Sequence, residues 1–277
     1  MIGSMGKFDL KAYLERIHYA GKTSPSLDVL NGLTEAHAKS IPFENIDAFL
    51  DRGISLSSDA IFTKLVTQKR GGYCFEQNSL FLSALESMGF SVKPLSGRVR
   101  LRFTSRDQAA PRTHMFLQVE IDGSIFLTDV GMGSASLTGA LKLTPDLVQV
   151  TPHDSRRLVR ESGLWYHQVL YGQTWQDACE FTLEQMPPVD QEIANWFTST
   201  HPQSHFRDRV VASRALENGE RVSLQNFELT RRSRTGEAEK KFLKNPLEIM
   251  ETLTDQFGLV LSEADGRDFL VKMSQFR

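Results

Sequence analysis

Asp122 and Gly123 constrain this chain more than any other pair of residues. They separate two runs of strand-forming residues, 114–121 and 124–130. Asp-Gly in that place is a two-residue hairpin turn, because both positions need the left-handed backbone these residues accept. The turn fixes the register and sets Phe116 opposite Asp129. His114, two residues from Phe116, then shares a face with Asp129 and lies diagonal to it, ~7 Å away at the backbone. An imidazole–carboxylate hydrogen bond can span that distance. Both strands carry apolar residues on both faces, as in a sheet packed on two sides or curled into a barrel.

The first ninety residues keep a helical period instead. Leu10, Tyr13, Leu14 and Ile17 form one apolar stripe, with Asp9 as cap and Gly21 as stop. Leu27, Leu30 and Leu33 open a second helix, which Pro42 closes. Ser57 and Ser58 cap a third, with Ile61, Phe62, Leu65 and Val66 on its apolar face. Gly71-Gly72 is expected to end it. A fourth helix reads from Cys74 to Met88, with Gly89 as its stop.

Cys74 therefore sits in the first turn of a helix. Unpaired N–H groups and the positive dipole end favour thiolate over thiol there. The plain alternative is a small buried hydrophobe. Cysteine, histidine and aspartate in this order can act as nucleophile, base and orienter, but spacing alone leaves open whether Cys74 meets His114. Glu44, among apolar neighbours, reads either as a surface carboxylate or as a buried partner for Arg70. The loop Gly131-Met132-Gly133-Ser134 reads either as a plain turn or as backbone passing close to a ligand.

The remaining chain alternates short strands with helices. Val99, Leu101 and Phe103 alternate with Arg98, Arg100 and Arg102, as in a half-exposed strand with its arginines in solvent. Residues 105–111 form a loop, and 164–170 and 179–183 read as strands. A helix starts at Pro187-Pro188 and runs through Ile193, Trp196 and Phe197. His201 and His205 are four apart, but Pro202 argues against the helix a metal pair would need; they read as loop or lid residues. Asn218-Gly219 and Thr235-Gly236 are further hairpin turns. Arg231, Arg232, Arg234, Lys240 and Lys241 read as a solvated face or as contacts for nucleotide phosphates. Helices at 246–257 and 262–273 close the chain. Residues 1–6 read as an addition outside the fold.

Bulk properties narrow the function. The 277 residues are 40% hydrophobic and 24% charged, with net charge -2. No basic excess argues for nucleic acid or an anionic membrane. No apolar run approaches the ~18 residues of a membrane span. With no signal-peptide core at its start, the chain is expected in the cytoplasm. The two cysteines, Cys74 and Cys179, are not expected to pair there, and two cannot build a cysteine-rich zinc site.

Several ordered motifs carry a family resemblance. They are Pro42-Phe43-Glu44-Asn45, Arg70-Gly71-Gly72-Tyr73-Cys74-Phe75-Glu76, Thr113-His114, Asp129-Val130-Gly131-Met132-Gly133, and Thr200-His201-Pro202 through Phe206. In these the chain resembles the arylamine N-acetyltransferases of prokaryotic type, over nearly its whole length. The resemblance implies an α+β fold in three parts: a helical bundle over 1–90 carrying Cys74, a central β-barrel over 91–200 carrying His114 and Asp129, and an α/β lid over 201–277. It implies a Cys74-His114-Asp129 triad, with Glu44 and Arg70 as structural support.

By the same resemblance, acetyl-coenzyme A is the co-substrate and no cofactor is bound permanently; with no cysteine pair and no helical His-x-x-x-His, no metal is expected to be needed. Gly131, Gly133 and Ser134 are assigned to the coenzyme; Phe43, Phe75 and Met132 are assigned to an arylamine or hydrazine acceptor. Met132 stands where the family commonly has an aromatic residue. The expected reaction is ping-pong N-acetylation through an acetyl-cysteine, by a monomer or homodimer. The same triad would also serve a cysteine hydrolase, a transglutaminase-like enzyme, or an amide synthase working on carrier-bound acyl chains. An intact triad argues against a non-catalytic ligand-binding domain.

Overall fold

The computed structural model describes residues 8–276, so the opening segment 1–6 lies outside it. The N-terminal part is helical. It comprises α1 (Leu10–Arg16), α2 (Leu27–Ser40), α3 (Ile46–Phe49), α4 (Ser58–Phe62) and α5 (Cys74–Ser87), with a short strand β1 (Phe43–Glu44) after α2. Side chains of Asp9, Ser26 and Ser57 accept hydrogen bonds from the first turns of α1, α2 and α4, which relieves unpaired N–H donors there.

Two of the expected helix stops differ. Helix α1 ends before Gly21, at His18, whose φ is +54°. Helix α4 loosens into a π-helical turn, Thr63–Thr67, and the chain reverses at Lys69, again at φ +54°. Gly71 and Gly72 serve space rather than termination. A Cβ on Gly71 would lie 2.2 Å from the Pro42 carbonyl oxygen, and one on Gly72 would lie 2.8 Å from a Glu76 carboxylate oxygen. Helix α5 ends as expected, with Gly89 at φ +86°.

Eight antiparallel strands follow: β2 (Ser91–Val99), β3 (His114–Ile121), β4 (Ser124–Thr128), β5 (Leu141–Lys142), β6 (Gln149–Val150), β7 (Ser155–Glu161), β8 (Leu164–Tyr171) and β9 (Thr174–Gln185). Their order in the sheet is β5-β4-β3-β2-β9-β8-β7-β6. The sheet curls into a barrel. Leu127 and Leu141 from one end of that order share a core with Leu158 and Trp165 from the other. The Asp122-Gly123 turn has both residues at positive φ, and Leu117 pairs with Thr128, the expected register. Met115, Leu117 and Val119 of β3 pack on the helices, while Phe116 points into the barrel. The arginine-rich stretch departs from expectation. The strand ends at Val99, and Arg100 turns inward, 2% exposed, bonded to the Gln108 carbonyl and paired with Glu180. Alternation in sequence did not reveal that the loop 105–110 folds back to accept its donors.

Helix α6 (Pro188–Thr200) leads to β10 (Val211–Ala215), β11 (Arg221–Gln225), β12 (Glu228–Arg232) and β13 (Ala238–Phe242), then to α7 (Pro246–Phe257) and α8 (Glu263–Met273). Strand β1 joins this second sheet, in the order β1-β10-β11-β12-β13. Helices α7 and α8 cover one face, where Ala212, Val222 and Leu224 meet Ile249, Leu253 and Phe269. The opposite face, with Val211, Ser213, Ser223 and Thr230, borders a cleft toward the barrel.

Candidate active site

The cleft encloses about 820 Å³ and has Cys74 and His114 in its wall. Cys74 opens α5, is 5% exposed, and its Sγ lies 3.8 Å from the Thr113 carbonyl oxygen. Strand β3 presents His114 from its first position. His114 Nε2 is 2.6 Å from Asp129 Oδ2, just past the end of β4. Cys74 stands beside the same imidazole in the cleft wall, close enough to favour its charged form. Burial alone would lower the His114 pKa. The Asp129 carboxylate, by charge and hydrogen bond, and Cys74 outweigh it and push His114 up to about 10. Burial would raise Asp129, but the His114 charge and the bonds from Asn78 and the Gly131 N–H hold it below the usual carboxylate range.

Asn78 is a residue the sequence reading missed. Its Nδ2 donates to Asp129 Oδ1 at 3.0 Å and to the Met115 carbonyl at 2.8 Å, and its Oδ1 accepts from Val130 N at 3.1 Å. It therefore ties α5 to both strands of the hairpin. The available signal was its position four residues after Cys74, on the same helix face. Gly131 is needed for close approach: a Cβ there would lie 2.7 Å from Cys74 Cα.

Behind the nucleophile lies a buried charge network. Arg70 donates to Glu44 Oε1 from Nη2 at 2.8 Å and from Nε at 3.1 Å, and reaches Asp47 at 3.2 Å. Lys64 bridges Asp47 at 2.6 Å and Glu76 at 2.7 Å. Glu76 in turn accepts from Tyr73 N at 3.0 Å, fixing the first turn of α5. Glu44 is 1% exposed, so it is a buried partner of Arg70. Burial would raise Asp47, but Lys64 and Arg70 hold its carboxyl low.

Phe43, Gly131, Met132, Gly133 and Ser134 line the cleft. Phe75 does not. It is fully buried in the helical core, edge-on to Tyr73 at 5.6 Å, because one residue past Cys74 turns about 100° around the helix. The aromatic wall comes instead from Phe103, Phe197 and Phe206, the last packed on Phe43 at 6.0 Å. His205 lines the cleft as well. Of the basic group, Arg232 and Lys240 stand in the cleft wall, joined by Arg102; Arg231 and Lys241 pair with Glu220 and Glu248 elsewhere. Cys179 is buried in the barrel, and burial pushes its thiol well up. Among the described residues no three His, Cys, Asp or Glu side chains gather as a metal site, and no helix is long and apolar enough to cross a membrane.

Comparison with known proteins matches this architecture. A family model for N-acetyltransferase covers residues 26–266. An arylamine N-acetyltransferase of Escherichia coli is 37% identical over 92% of this chain and 90% of its own length. One from Mycobacterium tuberculosis is 36% identical over 95% and 93%. The solved Salmonella typhimurium arylamine N-acetyltransferase superposes with TM-score 0.90 at 35% identity, covering 99% of this chain and all of that one. A Mycobacterium marinum relative, solved in complex with CoA, gives TM-score 0.90 at 35% identity over 96% and 99%. The chain belongs to the arylamine N-acetyltransferase family. It is an enzyme, an acyltransferase.

Proposed function

We propose that this enzyme acetylates arylamines and arylhydrazines by a ping-pong route through acetyl-Cys74. The observation carrying this is Cys74 beside His114 in the cleft wall, with His114 Nε2 held by Asp129 Oδ2 at 2.6 Å. In the proposed resting state Cys74 has given its proton to His114, and Asp129 holds the imidazolium in place. The thiolate attacks the acetyl carbonyl carbon of acetyl-coenzyme A, with the Cys74 N–H as a donor to the oxyanion. The C–S bond to the coenzyme breaks, and His114 protonates the departing thiolate. An amine then attacks acetyl-Cys74, His114 takes its proton, and the thiolate returns.

Gly131, Gly133 and Ser134 are proposed to pass beside the coenzyme, whose phosphates suit Arg102, Arg232 and Lys240. Glu44 and Arg70 act as structural support. Three folding units, 1–90, 91–200 and 201–277, and a cytoplasmic monomer or homodimer complete the reading.

The test is intact-protein mass after acetyl-coenzyme A alone. One acetyl group on Cys74 and none on Cys179 is expected, discharged faster by an aniline than by water. Label on Cys179, or activity in Cys74→Ala, ends the proposal. Faster discharge by water would make the enzyme a hydrolase instead.

Met132 also borders a cavity of only about 10 Å³ on its barrel side. A larger side chain there has to project into the cleft. Met132→Phe is expected to reorder anilines and hydrazides by KM while leaving the acetylation step unchanged. Stopped-flow acetylation beside a steady-state acceptor panel checks this; a slowed acetylation step alone would remove Met132 from the acceptor wall.

A further inference from the structure

Successive residues of β10 face opposite sides of its sheet. Val211 and Ser213 border the cleft, and Arg214 faces away from it, toward a second cavity of about 380 Å³ between α1, α2 and the back of the sheet. Arg16, Lys39, Lys69 and Arg214 line that cavity, with Glu217 as its acidic member. Lys39 is already paired, with Glu217 at 2.7 Å and Glu35 at 3.3 Å. The other three cations meet no carboxylate among the described residues.

Arg16 spends its donors on backbone, reaching the carbonyls of Leu65 at 2.9 Å and Ser40 at 2.7 Å. The Arg214 side chain makes no hydrogen bond among the described residues, and its Nε is buried without a partner. A buried N–H left unpaired is costly and rare in native proteins. The C-terminal turn of α7, at Phe257 and Gly258, also reaches the cavity, and its dipole offsets only part of one charge. Burial, and then the like charge of Arg214, pull Arg16 down to about 10; two guanidinium groups are held together here, and the cavity's one carboxylate, Glu217, is bonded to Lys39 rather than to either of them. Lys69 and His18, both at φ +54°, bring left-handed backbone to the rim.

We propose that this cavity is a second binding site, separate from the catalytic cleft, for a small phosphate-bearing anion. Guanidinium forks match phosphate oxygens two at a time, and Lys69 adds a point charge at the mouth. Arg16 also grips the Leu65 carbonyl in the segment leading to Cys74, so an occupied site would brace the nucleophile from behind.

Calorimetry with pyrophosphate on the full chain tests this, with sodium chloride at matched ionic strength as the control. One saturable site per chain that does not depend on the cleft cations is expected, and the Lys240→Gln arm separates it from any binding in the cleft. Arg214→Gln should weaken it about tenfold or more, as loss of a charge-assisted pair does, and Lys240→Gln in the cleft should leave it unchanged. If Arg214→Gln does not fold, the exposed Lys69→Gln is expected to weaken binding in the same assay. Binding that survives both variants, that vanishes in Lys240→Gln, or that chloride reproduces overturns the proposal.

Discussion

The Asp122-Gly123 turn holds His114 and Asp129 on one face, because a hairpin's register is local chemistry. Their contact with Cys74 was not legible, since it depends on how α5 crosses β3. Asn78 makes that crossing specific, and its place four residues after Cys74 was its local signal. Asp129→Asn is expected to keep the fold, because Asn78 and the Gly131 N–H still meet an oxygen. Turnover should fall roughly a thousandfold or more, as an amide can favour the wrong imidazole tautomer. Circular dichroism and kcat test the two halves, and wild-type turnover would take Asp129 out of the mechanism. Asn78→Ala removes a partner from Val130 N and from the Met115 carbonyl and leaves Asp129 Oδ1 with the Gly131 N–H alone, at ~1–3 kcal/mol for a buried group left unpaired. Both denaturation midpoint and kcat should drop. A drop in midpoint with unchanged kcat would limit Asn78 to stability.

At the scale of elements, helices and hairpins were legible wherever period and caps agreed, as in α2, α5, α7 and the 122–123 turn. The failures have one physical origin: long-range contact overriding local pattern. Arg100 looks solvated in sequence but is wrapped by a loop. Phe75 looks like a wall of the site but its helix turns it into the core. Gly71-Gly72 looks like a helix stop, yet the pair lets β1 lie against the approach to Cys74, where Glu44 N donates to the Gly72 carbonyl at 3.0 Å. Gly71→Ala is therefore expected to destabilise by ~1–3 kcal/mol or more, since its Cβ meets immovable backbone at Pro42. Gly53, with nothing within 4 Å, is the control, and Gly53→Ala should stay within ~0.5 kcal/mol. Urea midpoints compare them; equal effects would mean the 42–72 contact has slack.

For the whole molecule, Cys74 from the helices and His114 from the barrel meet in the cleft wall, and the pH dependence of stability reports which of them holds the proton. His114 has a raised folded pKa, so its contribution is fully present below ~6.5 and is lost as pH climbs to about 10. Asp129 and Asp47 are held low, so their contributions are present above ~3.9 and are lost as pH falls. If His114 alone gained a proton on folding, stability would fall by ~1.4 kcal/mol per pH unit from ~6.5 upward. Under the proposed resting state that proton comes from Cys74. Folded and unfolded chains then bind equal numbers of protons until an unfolded thiol titrates near ~8.5. Wild-type stability should be flat between those values and fall only above them. Cys74→Ser cannot supply the proton, while Asp129 still holds His114 charged, so the variant should decline from ~6.5 onward. Urea titrations of both proteins from pH 6 to 10 make the comparison. A decline from ~6.5 in the wild type, parallel to the variant, would mean that Cys74 keeps its proton and that the thiolate forms only with substrate in the cleft.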